Sequence, residues 1–134
     1  MSDWNAGIIE EFRGNDGIVG GMFEGKPLLL LHTRGAKTGN ERVNPLMYQQ
    51  VDERIAIFAS KAGAPDSPDW YHNLIAHPEI EIEIGAETRS LIARVAGDEE
   101  RGPIWSRQKQ DYPQFAEYEA STDRTIPVII LEPR

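Results

Sequence analysis

Apolar residues recur at every fourth position near the start of the chain. Trp4, Ile8 and Phe12 carry this spacing and place one apolar stripe along a helix predicted over residues 3–13. The next stretch, residues 14–27, holds five of the twelve glycines. Because glycine leaves the backbone free to adopt many conformations, this stretch is predicted to be a flexible loop.

Three short apolar runs follow and are typical of β-strands, because each is brief and bounded by turn residues. They cover residues 27–33, 42–51 and 53–60. Pro45 lies inside the second run, and since proline has no amide hydrogen, that strand is predicted at a sheet edge or a bulge. We expect the three strands to form a consecutive meander.

Helices are predicted at three later places. Ser67–Pro68 is typical of an N-cap and first helical residue, which predicts a short helix over residues 68–77. Asp98 is predicted to cap a helix that continues to about Lys109. A further helix is predicted over residues 112–121.

Strands are predicted between and after these helices. In residues 79–85, glutamate and isoleucine alternate strictly, which predicts a half-buried strand. A turn at Gly85–Ala86 leads into a strand over residues 87–96, so the two form a hairpin. The last strand, residues 126–133, is apolar on both faces and is therefore predicted to be central or well covered.

Six strands joined mostly by hairpin-length turns predict a mostly antiparallel β-barrel with peripheral helices, since closure of a barrel removes exposed sheet edges. The fold class is mainly β with helices at the periphery (α+β). A length of 134 residues suits one domain. In that domain, residues 1–27 supply the N-terminal helix and loop.

Charge and composition exclude several classes of ligand and of catalytic chemistry. The formal net charge of -8 opposes general binding to nucleic-acid phosphates. The chain has no cysteine, which excludes thiolate catalysis, disulfides and cysteine-bound metal centres. His32, His72 and His77 lack the spacing of a zinc helix, so no metal is expected. Neither a membrane-length apolar run nor an export signal is visible, and a cytoplasmic location is therefore expected.

The sequence HTRGAKTGNERVNP concentrates positive charge in this acidic chain. Arg34, Lys37 and Arg42 surround Gly35 and Gly39. A Walker A phosphate loop is excluded, because the upstream glycine is missing and a strand follows instead of a helix. The residues support two interpretations equally. Amides freed by glycine, together with three cations, suit a phosphate or carboxylate, whereas a hairpin turn with solvated charges needs no ligand.

Two further patterns carry candidate chemistry. Ser60 and Lys61 end a predicted strand beside a flexible Ala-Gly-Ala run, and since adjacent strand residues point to opposite faces, a binding role is favoured over covalent catalysis. Tyr112, Phe115 and Tyr118 recur at helical spacing. Aromatic residues at this spacing usually pack in the hydrophobic core. Tyrosine hydroxyls can also donate hydrogen bonds to a planar ligand that bears carbonyl groups. Both interpretations of the stripe stay open.

Three segments, in this order, resemble one known family: LLLLHTRGAKTGNERVNPLMY, ASKAGAPDSPDWYHNLIAHPEIEIEIG and STDRTIPVIILEPR. Over about residues 28–134 the chain is similar to the deazaflavin-dependent nitroreductases and quinone reductases of actinobacteria, which use coenzyme F-420. The resemblance implies a split β-barrel like that of FMN-binding flavin reductases. It also implies hydride transfer from reduced F-420 to a quinone such as menaquinone, or to a related planar acceptor such as a nitroaromatic or an activated alkene.

The resemblance further implies a site for the phosphate, glutamyl tail and deazaflavin ring of the coenzyme. The implied cofactor-binding residues are Arg34, Lys37, Thr38, Gly39, Arg42, Asn44, Pro45, Met47, Ser60, Lys61, Ala62, Gly63 and Ala64. Tyr112, Phe115 and Tyr118 would border the electron acceptor. Tyr118 or Tyr112 is the expected donor of a hydrogen bond to the acceptor carbonyl, with Ser60 as the lesser catalytic candidate.

Departures from the family pattern bear on the acceptor. Phe115 and Met47 stand where a nitroimidazole-reducing relative has tyrosine, so quinone reduction is favoured over nitroreduction. The first 27 residues match weakly; in relatives this region can lie against a membrane, although Glu10 and Glu11 oppose contact with anionic lipid. Two other hypotheses stay open: a carrier that binds F-420 without turnover, and an FMN-dependent split-barrel reductase. The sequence predicts no oligomeric state.

Overall fold

The computed structural model describes residues 3–20, 25–60 and 67–133. Its elements, in chain order, are α1 (Asp3–Gly14), β1 (Leu28–Arg34), β2 (Glu41–Met47), β3 (Gln49–Val51), β4 (Arg54–Phe58), α2 (Asp69–Ala76), β5 (Glu79–Ile84), β6 (Glu87–Val95), α3 (Asp98–Asp111), α4 (Gln114–Ala120) and β7 (Val128–Pro133). In α1, Ile8 and Phe12 are buried, as the apolar stripe predicts. The side chain of Trp4, the third member of the stripe, lies outside the described part of the chain.

The strands form one antiparallel sheet in the order β2-β1-β5-β6-β7-β4-β3. Its two edge strands, β2 and β3, are consecutive in the chain and only Tyr48 separates them. The sheet therefore curls, and its edges are joined through one bent strand, in agreement with the predicted antiparallel barrel. The edge position of β2 confirms the prediction made from Pro45, which lies opposite Leu30 of β1.

The predicted meander is confirmed in its pairing, since the middle apolar run pairs with the first run through β2 and with the third run through β3, but the predicted number of strands is wrong. Residues 42–51 contribute to two strands, β2 and β3, so the sheet has seven strands instead of six. As a result β4 pairs with β3 and β7, not with β2. The bend lies at Tyr48, whose amide donates to the Pro27 carbonyl oxygen at 3.3 Å. The local pattern of apolar and polar residues could not predict this bend, because a hydrogen bond to a residue elsewhere in the chain holds it in place.

Two predicted helix caps are also wrong. The N-cap of α2 is Pro68, and the hydroxyl of Ser67 instead accepts a hydrogen bond from Arg124 Nη1 at 3.3 Å. The N-cap of α3 is Gly97, which makes Asp98 the first helical residue. There its carboxylate still interacts favourably with the helix dipole.

The last helix begins two residues later than predicted. Tyr112 is the C-cap of α3, and its amide donates to the Gln108 carbonyl oxygen at 2.9 Å. Pro113 follows and sterically disfavours helical backbone at the residue before it, so α4 begins only at Gln114. Of the three aromatic residues predicted on one helix, therefore, only Phe115 and Tyr118 lie on α4.

The predicted strand patterns are confirmed. In β5, Ile80 and Ile82 are buried while Glu79 and Glu81 are exposed, as strict alternation requires. β7 lies between β6 and β4, and residues 128–131 are fully buried. A strand that is covered on both faces needs apolar side chains on both, and this explains its unbroken apolar run.

Alternate residues of β1 pack on opposite faces of the sheet. Leu29 and Leu31 join the cluster inside the barrel, to which α2 contributes, whereas Leu28 and Leu30 join the cluster beneath α1. A third cluster lies where α3 and α4 cover β4 and β7. Each fully buried leucine contributes about 1.5–3 kcal/mol to stability. The barrel is thus a filled core, and its ends and outer surface are left for ligands.

A cluster of charged side chains, formed by Arg13, His32 and Glu83, connects α1 to the sheet. Arg13 donates from Nε and Nη2 to the two carboxylate oxygens of Glu83, at 3.0 and 2.7 Å. His32 Nε2 lies 2.6 Å from the same carboxylate. The Arg13 hydrogen bonds lower the pKa of Glu83 below its ordinary value, burial opposes this lowering, and the His32 contact adds to it.

This cluster predicts a pH dependence of stability. Because the pKa of Glu83 is lower in the folded protein than in the unfolded chain, its ionised form stabilises the fold above the ordinary pKa of 4.5, and the stabilisation is lost as the pH falls through the folded value. We expect Glu83→Gln to lower the free energy of unfolding at neutral pH by about 1–2 kcal/mol and to make its acid dependence shallower. Urea unfolding from about pH 6 to pH 3 measures both. Glu87→Gln, which removes an exposed carboxylate paired with Arg89, is the control; identical slopes in wild type and Glu83→Gln contradict the prediction.

Candidate functional site

Six strand termini meet at one end of the barrel. Because neighbouring antiparallel strands alternate in direction, β1, β4 and β6 end there and β2, β5 and β7 begin there. The glycine turn that joins β1 to β2 lies at this end, as do Ser60 after β4 and the approach to β7. We call it the turn end. Topology therefore brings two of the predicted site regions, the glycine turn and Ser60, to one end of the barrel, whereas Met47 lies at the other end of β2.

Backbone hydrogen bonds fix the conformation of the glycine turn. The Gly35 amide donates to the Asn40 carbonyl oxygen, and the Gly39 amide donates to the Gly35 carbonyl oxygen, both at 2.8 Å. Gly39 has a φ of 73°, which other residues rarely adopt. Thr38 Oγ1 accepts from the Asn40 amide at 3.2 Å and would lie 2.6 Å from a Cβ at Gly35. The hydroxyl hydrogen of Thr38 remains available to donate to an anion.

Asn73 of α2 ties this turn to the barrel. Its Oδ1 accepts a hydrogen bond from the Ala36 amide at 3.0 Å, and its Nδ2 lies 3.5 Å from the hydroxyl oxygen of buried Thr33. The sequence reasoning missed Asn73 as a site residue. A signal existed, since Asn73 lies between Trp70 and Leu74 on the apolar face of a short helix, where a polar residue needs a specific partner.

Three cations of the turn lack partners. Within residues 3–20, 25–60 and 67–133, the side chains of Arg34, Lys37 and Arg42 make neither a hydrogen bond nor an ion pair with one another or with any other residue. The remaining described arginines and lysines each contact a carboxylate, a side-chain amide, a hydroxyl or a carbonyl; they are Arg13, Lys26, Arg54, Arg89, Arg94, Arg101, Arg107, Lys109 and Arg124. In a chain of net charge -8, uncompensated positive charge is thus concentrated at one turn.

Strand register divides the predicted cofactor residues between two faces of β2. Arg42 and Asn44 lie opposite Thr33 and Leu31, on the face that packs inside the barrel. Arg34, Pro45 and Met47 lie on the alternate face, which α1 covers. These residues therefore do not share one surface. Among the described strands β2 pairs with β1 alone, so a ligand lying along its other edge can contact side chains of both faces.

The aromatic residues lie on the outer face, in the cluster beneath α3 and α4. Phe115 is 5% exposed, and its ring centroid lies 5.6 Å from Phe58 and 5.3 Å from Tyr118. Tyr112, Tyr118 and Met47 are only partly buried against the same cluster. Met47 at the end of β2 and the two tyrosines thus pack against one cluster, and Phe115 lies within the core of that cluster.

Two hydrogen bonds to one carboxylate hold α4 against α3. Glu119 accepts from Trp105 Nε1 at 2.6 Å and from Lys109 Nζ at 2.9 Å. The Lys109 hydrogen bond, followed by that from Trp105, lowers the pKa of Glu119 below its ordinary value. Glu119 consequently stays ionised at neutral pH, and the helix that carries Tyr118 has a fixed position.

Ser60 lies at the turn end and is 8% exposed. The amide of the preceding residue, Ala59, donates to the Pro127 carbonyl oxygen at 3.0 Å. This hydrogen bond holds the residues after β4 beside the residues that precede β7. Lys61, Ala62, Gly63 and Ala64, also predicted as cofactor contacts, lie outside the described residues.

The described residues were also compared with the requirements of a metal site and of a membrane-spanning helix. Among the residues that the structure describes, no group of three or more histidine, aspartate or glutamate side chains could hold a metal ion. In the same part of the chain, no helix is both long and apolar enough to span a bilayer.

The architecture defines the class of protein. A solved F420-H2-dependent reductase, FDR-A, has the same fold, with a TM-score of 0.72 and 40% sequence identity over 79% of this chain and 94% of that chain. The protein is therefore a split-barrel reductase in architecture, which confirms the predicted fold class.

The family follows from sequence similarity. The family described as F420H(2)-dependent quinone reductase matches residues 7–133. A putative F420H(2)-dependent quinone reductase of Mycobacterium tuberculosis is 40% identical over 81% of this chain and 91% of its own length. A second F420H(2)-dependent quinone reductase of that species is 37% identical over 92% of this chain and 85% of its own length. The chain belongs to the F420H(2)-dependent quinone reductase family, and this confirms the resemblance, the predicted enzyme class and the deazaflavin cofactor.

The residues present fit such a cofactor. Coenzyme F-420 carries a phosphate and a tail of glutamates, so its binding requires several donors of positive charge. The glycine turn supplies three cations that pair with no other described residue, on a backbone that hydrogen bonds already order. Because the turn is ordered without the ligand, little conformational entropy is lost when an anion binds.

Proposed function

We propose that this protein transfers a hydride from reduced coenzyme F-420 to a quinone, with the anionic part of the coenzyme held at the glycine turn. The observation that carries the proposal is the set of cations Arg34, Lys37 and Arg42, which pair with no other residue of the described ranges, in a chain of this family. FMN has a single phosphate, whereas F-420 has a phosphate and several carboxylates. The surplus of positive charge therefore supports F-420 over FMN.

When bound, the reduced deazaflavin supplies a hydride from its C5 atom. The chain would contribute position: Lys37 and Arg42 would hold the tail by charge-assisted hydrogen bonds, and Asn44 and Pro45 would contact the ring. From Arg42 to Met47 an extended strand spans about 17 Å. One elongated ligand can thus reach from the cations to the aromatic cluster.

The proton is supplied near the acceptor. Tyr112 and Tyr118 are partly buried against the same cluster as Met47, and a phenol there can donate a hydrogen bond to a quinone oxygen as negative charge develops on it. Ser60 is a lesser candidate for this role. The absence of a hydroxyl at Phe115 and Met47 supports a quinone over a nitroaromatic acceptor.

Binding and turnover test the proposal separately. Fluorescence titration should give tighter binding of F-420 than of FMN. Purified protein mixed with reduced F-420 and menadione should restore the visible absorbance of the oxidised coenzyme, and should do so faster than with a nitroimidazole. Tight binding of F-420 without reoxidation by any acceptor would instead indicate a carrier, and tighter binding of FMN would overturn the cofactor assignment.

A further inference from the structure

The segment between α4 and β7 carries a buried connection that the proposed function does not use. Arg124, in this segment, is partly buried, and its backbone amide lies 3.4 Å from Thr122 Oγ1. The segment is also held at its other end, because Arg101 donates twice to the Ile126 carbonyl oxygen, at 3.1 and 2.9 Å. Arg124 therefore projects from a backbone that is itself fixed.

The guanidinium of Arg124 connects two places that are far apart from it in sequence. Its Nη2 donates to the carbonyl oxygens of Ala59 and Ser60, at 3.0 and 2.9 Å. Its Nη1 donates to Ser67 Oγ at 3.3 Å. One side chain thus connects the two residues that follow β4 with the residue that precedes the N-cap of α2.

The chemistry of these contacts requires arginine. A guanidinium is a planar fork with several N–H donors in fixed directions, so one group can bond two successive carbonyls on one side and a hydroxyl on the other. A lysine ammonium is a single centre on a flexible stem and cannot hold both sets of acceptors in one geometry. The loss of one such partner leaves buried carbonyl oxygens without a donor.

We infer that Arg124 is a positioning residue for the cofactor site: it holds Ser60 at the turn end in register with α2, whose Asn73 orders the cationic turn. This inference rests on the proposed function, since it assigns Arg124 to the binding of F-420. Arg124 does not touch the reacting atoms, and it acts through the backbone at Ser60.

The test compares Arg124→Ala and Arg124→Lys with Arg107→Ala, which removes an exposed arginine paired with Asp111 on α3. We expect Arg124→Ala to weaken F-420 binding about tenfold, as the loss of hydrogen bonds worth about 1.4 kcal/mol predicts. Arg124→Lys should lose affinity to a smaller extent, and Arg107→Ala should bind like wild type. Millimolar guanidinium, but not ammonium, should restore affinity to Arg124→Ala.

A second readout does not depend on the coenzyme. In the free protein, hydrogen exchange at the Ala59 amide, which bonds to Pro127, should be faster in Arg124→Ala than in Arg107→Ala. If Arg124→Ala does not fold, Arg124→Lys carries both measurements. Unchanged F-420 affinity in a folded Arg124 variant overturns the inference, even where exchange at Ala59 rises. Failure of the wild-type protein to bind F-420 overturns the proposed function instead.

Discussion

Replacing Lys37 and Arg42 together with alanine is expected to weaken F-420 binding about 100-fold. Each cation is exposed and unpaired, so each can give a charge-assisted hydrogen bond to the phosphate or tail, worth about 1.5 kcal/mol at the low end of the usual range. Fold stability should change little, because both side chains are exposed and neither makes a hydrogen bond or ion pair with another described residue. The dissociation constant, measured by fluorescence titration, should also become less dependent on salt, since fewer screened charge pairs remain.

Two controls distinguish the loss of direct contacts with the coenzyme from a general effect of the protein's net charge. Arg89→Ala with Arg107→Ala removes the same two charges from cations that pair elsewhere, with Glu87 and Asp111, and should leave affinity close to that of wild type. A deazaflavin nucleoside that lacks the phosphate and tail should bind equally well to wild type and to the Lys37/Arg42 variant. If the two double variants lose F-420 affinity equally, the effect is one of net charge and the assignment of the turn as the tail site is wrong.

Removing both phenol hydroxyls near Met47 is expected to slow turnover about 100-fold. Tyr112→Phe with Tyr118→Phe deletes the proposed donors to the quinone oxygen, and a positioned proton donor typically contributes at least this factor to kcat. The phenyl rings remain, so the edge contact of Tyr118 with Phe115 and the fit of the cluster are kept. The dissociation constant of F-420 should be unchanged, which makes the loss specific to the chemical step.

Single variants then assign the donor. The tyrosine that donates should account for nearly the whole loss of kcat when changed alone, whereas the other should have little effect. Tyr71→Phe on α2, whose ring packs against the barrel cluster and not against the outer one, is the matched control. Wild-type kcat in the double variant would exclude both tyrosines and leave Ser60 as the remaining candidate of the three.

Much of the fold could be predicted from the sequence, because the residue patterns that indicate helices and strands are local. The alternation in residues 79–85 follows directly from a strand with one buried face, and the apolar run before Glu132 follows from a strand covered on both. Pro45 predicted an edge strand because a missing amide hydrogen is a property of one residue. Pro113 is a local signal of the same kind, because proline disfavours helical backbone at the residue before it and so separates α3 from the helix that begins at Gln114.

The candidate site was predictable only in part, for a physical reason. The cations of the glycine turn are visible as residue types, but whether they are paired depends on carboxylates elsewhere in the chain, as the contact of Arg13 with Glu83 illustrates. Asn73 and Arg124 were not identified because each acts on backbone groups more than thirty residues away in sequence. No period or motif encodes such partners.

Taken alone, the sequence determined the family, the antiparallel barrel class and the charged glycine turn, because motif order, strand period and residue type are all written along the chain. Only the tertiary structure decided that Tyr48 bends one apolar run into two strands and that the sheet closes through this bend. It alone decided which cations stay unpaired and that Arg42 and Met47 lie on opposite faces of β2. Those outcomes depend on which distant groups come within hydrogen-bonding distance, and only the folded chain sets such distances.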